Sequence, residues 1–446
     1  MTLTPQFARA TLAIGRHSGV SPAELKEFQD AQLRRLVCHA YESVPFYRKL
    51  FDRYRLHSRH IRGTVDLDLI PTVSKEDLRA QPVGNVIAKG LDPDRLITAR
   101  TSGSSGEPFA IRRTWPEQSL QYLLRLRAYA LLGVRVGDRI ATVALVRPED
   151  SADDKLVGRA LTAARIKQTL MIDGLQDPGA IVEQLRCYRP DVLTGMPGML
   201  CRVAEYLLAH GCKGLAPRLV IVGGEVLTPV MRRSLREGFG APVRETYASH
   251  EFPLLGWDCG EGGEFHTCDD GVIVELLHEG RAAAPGERGE VVGTNLHSYA
   301  MPFIRYRLGD IATRGGQPCA CGQPFSRISS IQGRMIDYFP LPDGRVIHPY
   351  QILSSFIGGG DSWIQQYQLL QERRDRIVLR VLPAHAPDPE GVARLEQSVL
   401  PLLGPLVEFR VQLVNDLPLE QTGKFRPSRS LVHSGYDGLT PSVARA

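Results

Sequence analysis

At 446 residues the chain is too long for one ordinary hydrophobic core, and its length predicts about three structural units of ~150 residues each. Hydrophobic residues make up 43% of the chain and charged residues 23%, which is typical of a globular protein. The net charge of +5 is small for this length, and no run of basic residues is present. Nucleic acid is therefore not an expected partner.

The location of the protein is constrained by features that the sequence lacks. No stretch approaches ~18 consecutive apolar residues, which excludes a transmembrane helix. Residues 1–16 contain neither the apolar segment nor the cleavage site of a signal peptide. Eight cysteines are too few for a disulfide scaffold at this length. We expect a cytoplasmic protein with no membrane partner, and its oligomeric state is left open, with a homodimer as one option.

The first predicted elements, at residues 21–54, are helical. Ser21-Pro22 begins a helix in which Glu24 is the acid of a capping box, and apolar residues follow at helical spacing. Val44-Pro45 then turns the chain. A second helix capped by a serine is predicted to begin at Ser74.

A short loop rich in glycine and hydroxyl groups lies between the strand end at Leu96-Ile97 and a returning strand at 109–111. Glycines allow neighbouring backbone N–H groups to point at one centre, and hydroxyls add donors, so this loop can wrap a polyphosphate. It lacks the Gly-Lys-Ser/Thr ending of a Walker loop, and a flexible linker is the alternative interpretation. The predicted phosphate-binding residues are Thr101, Ser102, Gly103, Ser104, Ser105 and Gly106.

Helical and strand patterns alternate over the next part of the chain. The predicted helices are 116–132, 178–188, 197–210 and 228–238, and the predicted strands are 139–146, 191–195, 218–222 and 243–246. This order is typical of a layered α/β domain with a largely parallel sheet. Ligands of such sheets bind at the carboxyl ends of the strands, where the loops 194–198, 223–225 and 247–251 are expected.

The pattern changes after residue 257 to short strands separated by glycine and proline. Beyond Gly333 a smaller α+β region is predicted, with a strand at 375–382, a helix at 388–402 and a strand at 406–414. The segment 257–325 also concentrates metal-binding residue types.

Three cysteines and a histidine in this segment predict a metal site of the zinc-knuckle kind. Six residues separate Cys259 from His266, and one residue separates Cys319 from Cys321. Three thiolates and one imidazole make a closed tetrahedral zinc site that serves structure and has no open position for chemistry. Cys268 competes with His266 as the fourth ligand, and unrelated buried cysteines are the alternative.

The order of several motifs resembles the phenylacetate–coenzyme A ligase family of adenylate-forming enzymes over nearly the full chain. No single motif decides the resemblance, which depends on their order and spacing together. The matching motifs are Leu36-Val37-x-x-Ala40-Tyr41-x-x-Val44-Pro45-Phe46-Tyr47, the loop at 101–108, Gly223-Gly224-Glu225, Tyr247-x-x-x-Glu251, Arg305-Tyr306-Arg307-x-Gly309-Asp310, Gly333-Arg334 and Gly423-Lys424.

The resemblance implies a fold class and a division into domains. It implies a large N-terminal layered α/β domain over residues 1–333 and a small, mobile α+β C-terminal domain over residues 338–446. Asp337 lies at the position of the family's hinge, although the neighbouring prolines, Pro340 and Pro342, depart from the family's acidic, flexible hinge.

The resemblance also assigns roles to residues of the candidate nucleotide site. Glu251 is expected to hold Mg²⁺, which binds through one or two carboxylates together with phosphate oxygens. Lys424 is expected to be catalytic, since a compact ammonium suits the charge on an α-phosphate and a carboxylate during adenylation. The remaining assignments place Gly223, Gly224 and Glu225 against the adenine, Tyr247 and Ser249 near the base, Asp310 on the ribose hydroxyls, and Arg334 on ribose or phosphate.

The implied activity is ATP-dependent activation of a carboxylic acid to an acyl-adenylate, followed by transfer to coenzyme A. The acid is expected to be aromatic because the resemblance is to ligases of aryl acids. The first alternative is an adenylating ligase that forms an amide or ester on an amine, an alcohol or a carrier protein. The second is a nucleotide-binding protein without catalysis, and the presence of Lys424, Glu251 and Asp310 disfavours it.

Overall fold

The structure is a computed structural model. In it the chain forms two compact units. Unit 1 comprises Met1–Leu132 and Thr246–Ile331, and unit 2 comprises Gly133–Glu245 and Gln332–Ala446. The division near residues 333–338 that the sequence predicts stays a prediction. The residues described are 17–100, 109–144, 168–174, 176–211, 214–260, 264–316, 319–334, 339–347, 349, 352, 363–386, 389–417 and 428–432.

The helices and strands are numbered in chain order. The helices are α1 Pro22–Ser43, α2 Pro45–Arg53, α3 Lys75–Arg79, α4 Val83–Val86, α5 Trp115–Leu131, α6 Pro178–Tyr188, α7 Pro197–Ala209, α8 Pro229–Phe239 and α9 Pro389–Leu403. The strands up to residue 295 are β1 Ile97–Arg100, β2 Ala110–Arg113, β3 Arg139–Ala144, β4 Gln168–Asp173, β5 Val192–Gly195, β6 Leu219–Gly223, β7 Val243–Tyr247, β8 Gly256–Asp258, β9 Phe265–Thr267, β10 Val272–His278, β11 Arg281–Ala282 and β12 Arg288–Asn295. The later strands are β13 Tyr306–Arg314, β14 Arg327–Arg334, β15 Phe339–Pro340, β16 Val346–Ile347, β17 Ile364–Arg373, β18 Arg376–Pro383, β19 Glu408–Leu413 and β20 Ser428–Ser430.

Unit 1 begins with the predicted pair of helices. Ser21 accepts a hydrogen bond from the backbone N–H of Glu24, and the Glu24 carboxylate accepts one from the Ser21 N–H at 2.8 Å, so the predicted capping box is confirmed. Pro45 then begins α2 because proline is tolerated in the first helical turn. Within the described part of the chain, no helix is both long and apolar enough to span a membrane.

The sheet of unit 1 is antiparallel. Its strands run in the order β11-β10-β12-β13-β14-β9-β8, and Thr246 and Tyr247 at the end of β7 pair with Trp257 and Gly256 of β8. Separately, β1 and β2 pair in antiparallel fashion with Ile97 opposite Arg113. The two predicted strands around the loop are therefore present, but β1 begins at Ile97, where the sequence predicted a strand end. The predicted phosphate-binding residues, Thr101 to Gly106, lie outside the described residues.

Unit 2 contains the parallel sheet that the alternating pattern predicts. The strands run in the order β4-β3-β5-β6, and β6 continues to the start of β7 through a hydrogen bond from Val220 N to Pro242 O at 3.0 Å. Helices α6, α7 and α8 pack their apolar faces into one core, with Leu185, Met199 and Leu235 fully buried. The fold class is confirmed as α/β.

A second, smaller sheet in unit 2 has the order β19-β18-β17-β20. Strands β17 and β18 are antiparallel, β18 and β19 are parallel, and α9 packs its buried residues, such as Leu395 and Val399, against them. This α+β arrangement is the one predicted for residues 375–414, with each boundary within two residues. Lys424 and Asp337 lie outside the described residues, and the side chain of Arg334 is not described.

A buried ion pair in unit 1 joins α5 to the segment between β9 and β10. Arg127 donates through both terminal nitrogens to the two oxygens of Asp270, one of them at 2.7 Å, and His17 Nδ1 lies 2.9 Å from Asp270 Oδ2. Burial would raise the pKa of Asp270. The hydrogen bond to His17 and the charge of Arg127 outweigh burial, so the pKa of Asp270 lies well below its usual value.

Asp270→Asn is expected to lower the free energy of unfolding by about 3–5 kcal/mol, because it leaves the Arg127 charge buried without its partner. Denaturant titration at pH 7 measures this loss. Since the pKa of Asp270 is depressed in the folded state, its stabilisation is present above the pKa of an unfolded Asp and is lost as pH falls below that value. The difference between variant and wild type should therefore shrink towards low pH.

The matched control is Asp52→Asn, which removes the partner of Arg48 from an exposed i,i+4 pair at 3.2 Å. Such pairs contribute about 0–1 kcal/mol. Equal losses for the two variants would contradict the proposed difference between the buried and the exposed pair.

Candidate functional site

Two residues that the sequence assigns to the nucleotide site, Tyr247 and Asp310, lie in direct contact. Tyr247 ends β7 and Asp310 lies in the middle of β13, and the phenol O–H donates to the Asp310 carboxylate at 2.6 Å. Tyr247 is buried and Asp310 is partly exposed. The structure therefore brings together an aromatic ring and a carboxylate that are 63 residues apart in the chain.

The motif Arg305–Asp310 separates into anchoring and site-forming residues. Arg305 has a left-handed backbone with φ of 46°, and its guanidinium donates to both oxygens of Glu275, at 3.0 and 2.8 Å. Arg307 donates to the buried Glu290 at 2.9 Å. These arginines hold β13 in place, while the intervening Tyr306 and the later Asp310 contact the candidate site.

Glu251 lies in a tight turn that follows β7. In this turn Ser249 N donates to Phe252 O at 2.9 Å, and Phe252 N donates to the Ser249 hydroxyl at 3.1 Å. The Glu251 carboxylate is buried, and its Oε1 accepts from the Tyr306 O–H at 2.9 Å. Its second oxygen, Oε2, has no hydrogen-bond partner within the described ranges, which fits a carboxylate that can take a Mg²⁺ ion.

Two further side chains bind the backbone of this turn, and sequence reasoning did not find them. Arg113, the last residue of β2, donates to the carbonyl of His250. Asn295 donates to the carbonyl of Glu251 at 3.1 Å and accepts from Gln121 of α5 at 3.0 Å. Arg112-Arg113 directly after the predicted phosphate loop was the available sequence signal. Asn295 has no comparable signal, because its partners are distant in the chain.

In the predicted adenine loop of unit 2, residues 223–225, the carboxylate of Glu225 binds the protein backbone. Gly224 has φ of 83°, which favours glycine, and Glu225 Oε2 accepts a hydrogen bond from Gly198 N at 2.9 Å. Gly198 lies in the first turn of α7, whose N-cap residue Met196 provides no side-chain acceptor. Glu225 therefore links the loop after β6 to the start of α7, and its contact with adenine stays a prediction.

The four predicted metal ligands form a compact cluster in unit 1. The ligand atoms of Cys259, His266, Cys319 and Cys321 all lie within 4.8 Å of one another. Cys259 Sγ is 3.4 Å from Cys319 Sγ, and His266 Nε2 is 3.1 Å from Cys321 Sγ. Zinc–sulfur bonds of ~2.3 Å in a tetrahedron require ligand atoms roughly 3.8 Å apart, so the donor set fits a zinc ion after small adjustments.

The environment of the cluster also suits a metal. His266 Nδ1 lies 3.3 Å from the carbonyl oxygen of Phe325, which orients the ring so that Nε2 faces the thiols. Burial lowers the pKa of His266, so the imidazole is neutral and can act as a ligand at pH 7. Burial would raise the pKa of Cys319, but hydrogen bonds from Cys321 and Cys259 outweigh it and lower the pKa below its usual value.

Cys268, the competing ligand, lies outside the cluster. Its side chain is fully buried, and its Sγ lies 3.6 Å from Asp270 Oδ1 and 3.6 Å from Arg127 Nη2. Strand β9 ends at Thr267, and the chain then turns so that Gly271 N donates to Cys268 O at 2.7 Å. The turn directs Cys268 towards the buried ion pair and leaves His266 as the fourth member of the cluster.

Comparison with known proteins supports the resemblance that the motifs show. The chain is 26% identical to a phenylacetate–coenzyme A ligase of Thermus thermophilus over 340 residues, covering 74% of each chain. It is 28% identical to a phenylacetate–coenzyme A ligase of Escherichia coli over 298 residues, covering 65% of this chain and 67% of that one. The chain is thus similar to phenylacetate–coenzyme A ligases over most of its length. No family model matches it.

The fold is similar to that of a solved acyl-CoA ligase. A solved 2-hydroxyisobutyryl-CoA ligase, in the postadenylation state and in complex with R3-HIB-AMP, superimposes with a TM-score of 0.74 at 22% identity. The match covers 90% of this chain and 88% of that one. The fold class predicted from the sequence is thereby confirmed.

Glu225→Ala is expected to lower the free energy of unfolding by about 1 kcal/mol, because the Gly198 N–H at the start of α7 loses its acceptor. Denaturant titration measures the loss. Glu183→Ala, which removes an exposed acid of α6 that pairs with Arg186, is the control and should change stability by less than about 0.5 kcal/mol. An equal effect of the two variants would show that Glu225 does not cap α7.

Proposed function

We propose that the protein activates a carboxylic acid with ATP and transfers the acyl group to coenzyme A. The observation that carries the proposal is a pair of hydrogen bonds in unit 1: the Tyr247 hydroxyl donates to Asp310, and the Tyr306 hydroxyl donates to Glu251. Homology to the phenylacetate–coenzyme A ligases supports it. An aromatic acid is the proposed substrate class, in keeping with the names of those relatives.

The chemistry proceeds in two half-reactions. A carboxylate oxygen of the acid attacks the α-phosphorus of ATP, the bond from that phosphorus to the β-phosphate oxygen breaks, and pyrophosphate leaves. The thiol of coenzyme A then attacks the carbonyl carbon, AMP leaves, and the thiol proton is released. The protein's task is to hold the two anionic reactants together and to stabilise the charge that develops on the phosphate.

Four parts of the proposed site have specific tasks in the first half-reaction. Asp310, oriented by the Tyr247 O–H, accepts hydrogen bonds from the ribose hydroxyls. The loop Thr101–Gly106 binds the phosphates through backbone N–H groups and hydroxyls. Glu251, held by Tyr306, would be the protein ligand of Mg²⁺, which supplies positive charge to the phosphates. Lys424 stabilises the charge on the α-phosphate.

The cysteine–histidine cluster is proposed to hold one structural zinc ion. Three thiolates and an imidazole fill a tetrahedron, so the site has no position for a substrate. The cluster joins β8 and β9 to the segment before β14, where β8 and β9 are only three residues long and form few ladder hydrogen bonds. Zinc would therefore stabilise this part of unit 1 without taking part in acyl transfer.

The function is tested by ATP–pyrophosphate exchange over a panel of aromatic and aliphatic carboxylic acids, followed by product analysis with coenzyme A, amines and alcohols. The proposal expects exchange that depends on one class of acid and a thioester with coenzyme A. An amide or ester in place of a thioester would support the alternative ligase. Nucleotide binding without exchange for any acid would mean that the protein is a nucleotide-binding protein without this activity.

Lys424→Ala is expected to reduce formation of the acyl-adenylate by ~10²–10³, the usual effect of removing one preorganised charge from such a transition state. Transfer from a synthetic acyl-adenylate to coenzyme A should change far less, because no charge develops there on an attacked phosphorus. The two rates are measured separately by pyrophosphate exchange and by thioester formation. Equal losses in both would assign Lys424 to general binding or to the fold.

Cys321→Ser is expected to abolish the binding of one zinc ion per chain and to lower the midpoint of thermal unfolding, since the free energy of metal binding contributes to folding. Elemental analysis and thermal melts measure these effects. Cys187→Ser, at an exposed cysteine away from the cluster, is the control. Wild-type protein that contains no zinc after purification without chelators would contradict the metal site.

A further inference from the structure

Arg113 places a buried guanidinium beside the turn that carries Glu251. It ends β2, only 3% of its surface is exposed, and one of its terminal nitrogens donates to the carbonyl of His250. Burial lowers the pKa of Arg113, while the charges of Glu117 and Glu251 oppose that effect. The Arg113 guanidinium is therefore a buried cation that is close enough to Glu117 and Glu251 to be stabilised by their negative charges.

Neither carboxylate forms an ion pair with Arg113 in the part of the chain that the structure describes. Glu117 Oε1 accepts from the N–H groups of Tyr299 and Ala300, at 2.5 and 2.7 Å, and its Oε2 accepts from Thr114 at 2.6 Å. Glu251 accepts from Tyr306. Arg113 Nε is buried, and among the described residues it has no hydrogen-bond partner.

A buried cation that lacks an ion pair is costly, and an unmade hydrogen bond adds to the cost. The cost falls when an anion with two oxygens binds, because the planar guanidinium matches carboxylate and phosphate oxygens. The position of Arg113 fits such an anion: β2 directly follows the predicted phosphate loop in sequence, and His250 precedes Glu251.

We infer that Arg113 is an anion-binding residue of the active site, whose guanidinium binds the oxyanion at the reacting centre. Two reactants carry such an oxyanion: the carboxylic acid, through its carboxylate, and ATP, through its α-phosphate. The inference rests on the proposed function and adds to it a specific cationic residue. The same guanidinium also donates to the His250 carbonyl, so one side chain would contact both the turn and the bound anion.

The variants separate anion binding from a purely structural contact. Arg113→Gln removes the charge and keeps an N–H donor on a shorter side chain, whereas Arg113→Lys keeps the charge and removes the planar guanidinium. The control is Arg125→Gln, which makes the same charge change at an exposed position of α5. Thermal melts and circular dichroism establish that each variant is folded.

Two measurements distinguish the two sources of the anion. The first is a kinetic measurement of ATP–pyrophosphate exchange, which gives the KM for the acid and the kcat. The second is equilibrium binding of ATP in the absence of acid. If the carboxylate is the ligand, Arg113→Gln raises the KM for the acid about 10- to 100-fold and leaves ATP affinity unchanged. If the α-phosphate is the ligand, ATP affinity weakens by a similar factor and the KM for the acid is unchanged. Arg113→Lys should lie between wild type and Arg113→Gln in either case.

The inference is wrong if folded Arg113→Gln differs from wild type by less than about twofold in both measurements, since removing a charge-assisted hydrogen bond costs more than that. It is also wrong if the exposed control, Arg125→Gln, produces the same loss as Arg113→Gln. Failure of the proposed function has a different signature, because the wild type itself then shows no exchange with any acid. In that case the ATP-binding measurement still decides whether Arg113 binds the phosphate.

Discussion

The candidate active site of unit 1 depends on one constrained element, the turn at residues 249–252. Its local hydrogen bonds between Ser249 and Phe252 define the backbone, and side chains from other elements hold its carbonyl groups. Arg113 binds the carbonyl of His250, and Asn295 binds that of Glu251. Because these carbonyls are engaged, the Glu251 side chain has a defined direction and meets the Tyr306 hydroxyl.

The same principle of long-range support is visible in the buried ion pair and the cysteine–histidine cluster. His266 belongs to the cluster, and four residues later Asp270 binds Arg127 of α5, the helix that begins directly after Arg113. The short stretch from the end of β9 to β10 is thereby contacted at one end by the cluster and at the other by the buried ion pair. Such support is expected where strands are only three residues long and provide few ladder hydrogen bonds.

Much of the fold could be predicted because the boundaries of its elements carry local signals. Helix α6 begins at Pro178 after an Asp177 cap and covers the predicted residues, and α8 begins after the Thr228 cap. Strand β17 was missed. Its sequence is rich in glutamine, and the side chain of the buried Gln371 bonds to residues distant in the chain: it donates to Pro340 O at 2.9 Å and accepts from the Ser430 hydroxyl at 2.7 Å.

The site itself could be predicted only in part from local patterns. Thiol and imidazole ligands are chemically restrictive, so the cluster was found, but the choice between His266 and Cys268 depends on where β9 ends. The resemblance alone assigned Tyr247 and Asp310 to one nucleotide site. Their direct hydrogen bond was not predicted, because no local pattern joins residues so far apart. Arg113 was missed because its significance lies in burial without an ion-pair partner among the described residues, which a sequence does not record.

In the proposed reaction a carboxylate oxygen attacks the α-phosphorus of ATP. The direct measurement uses an accepted acid labelled with ¹⁸O in its carboxyl group, together with ATP and coenzyme A, and analyses the nucleotide by mass spectrometry. Attack on the α-phosphorus leaves the bridging oxygen of the adenylate on AMP after acyl transfer, so AMP carrying one ¹⁸O atom is the expected product. Label in inorganic phosphate or pyrophosphate, or thioester formation with unlabelled AMP, would contradict it.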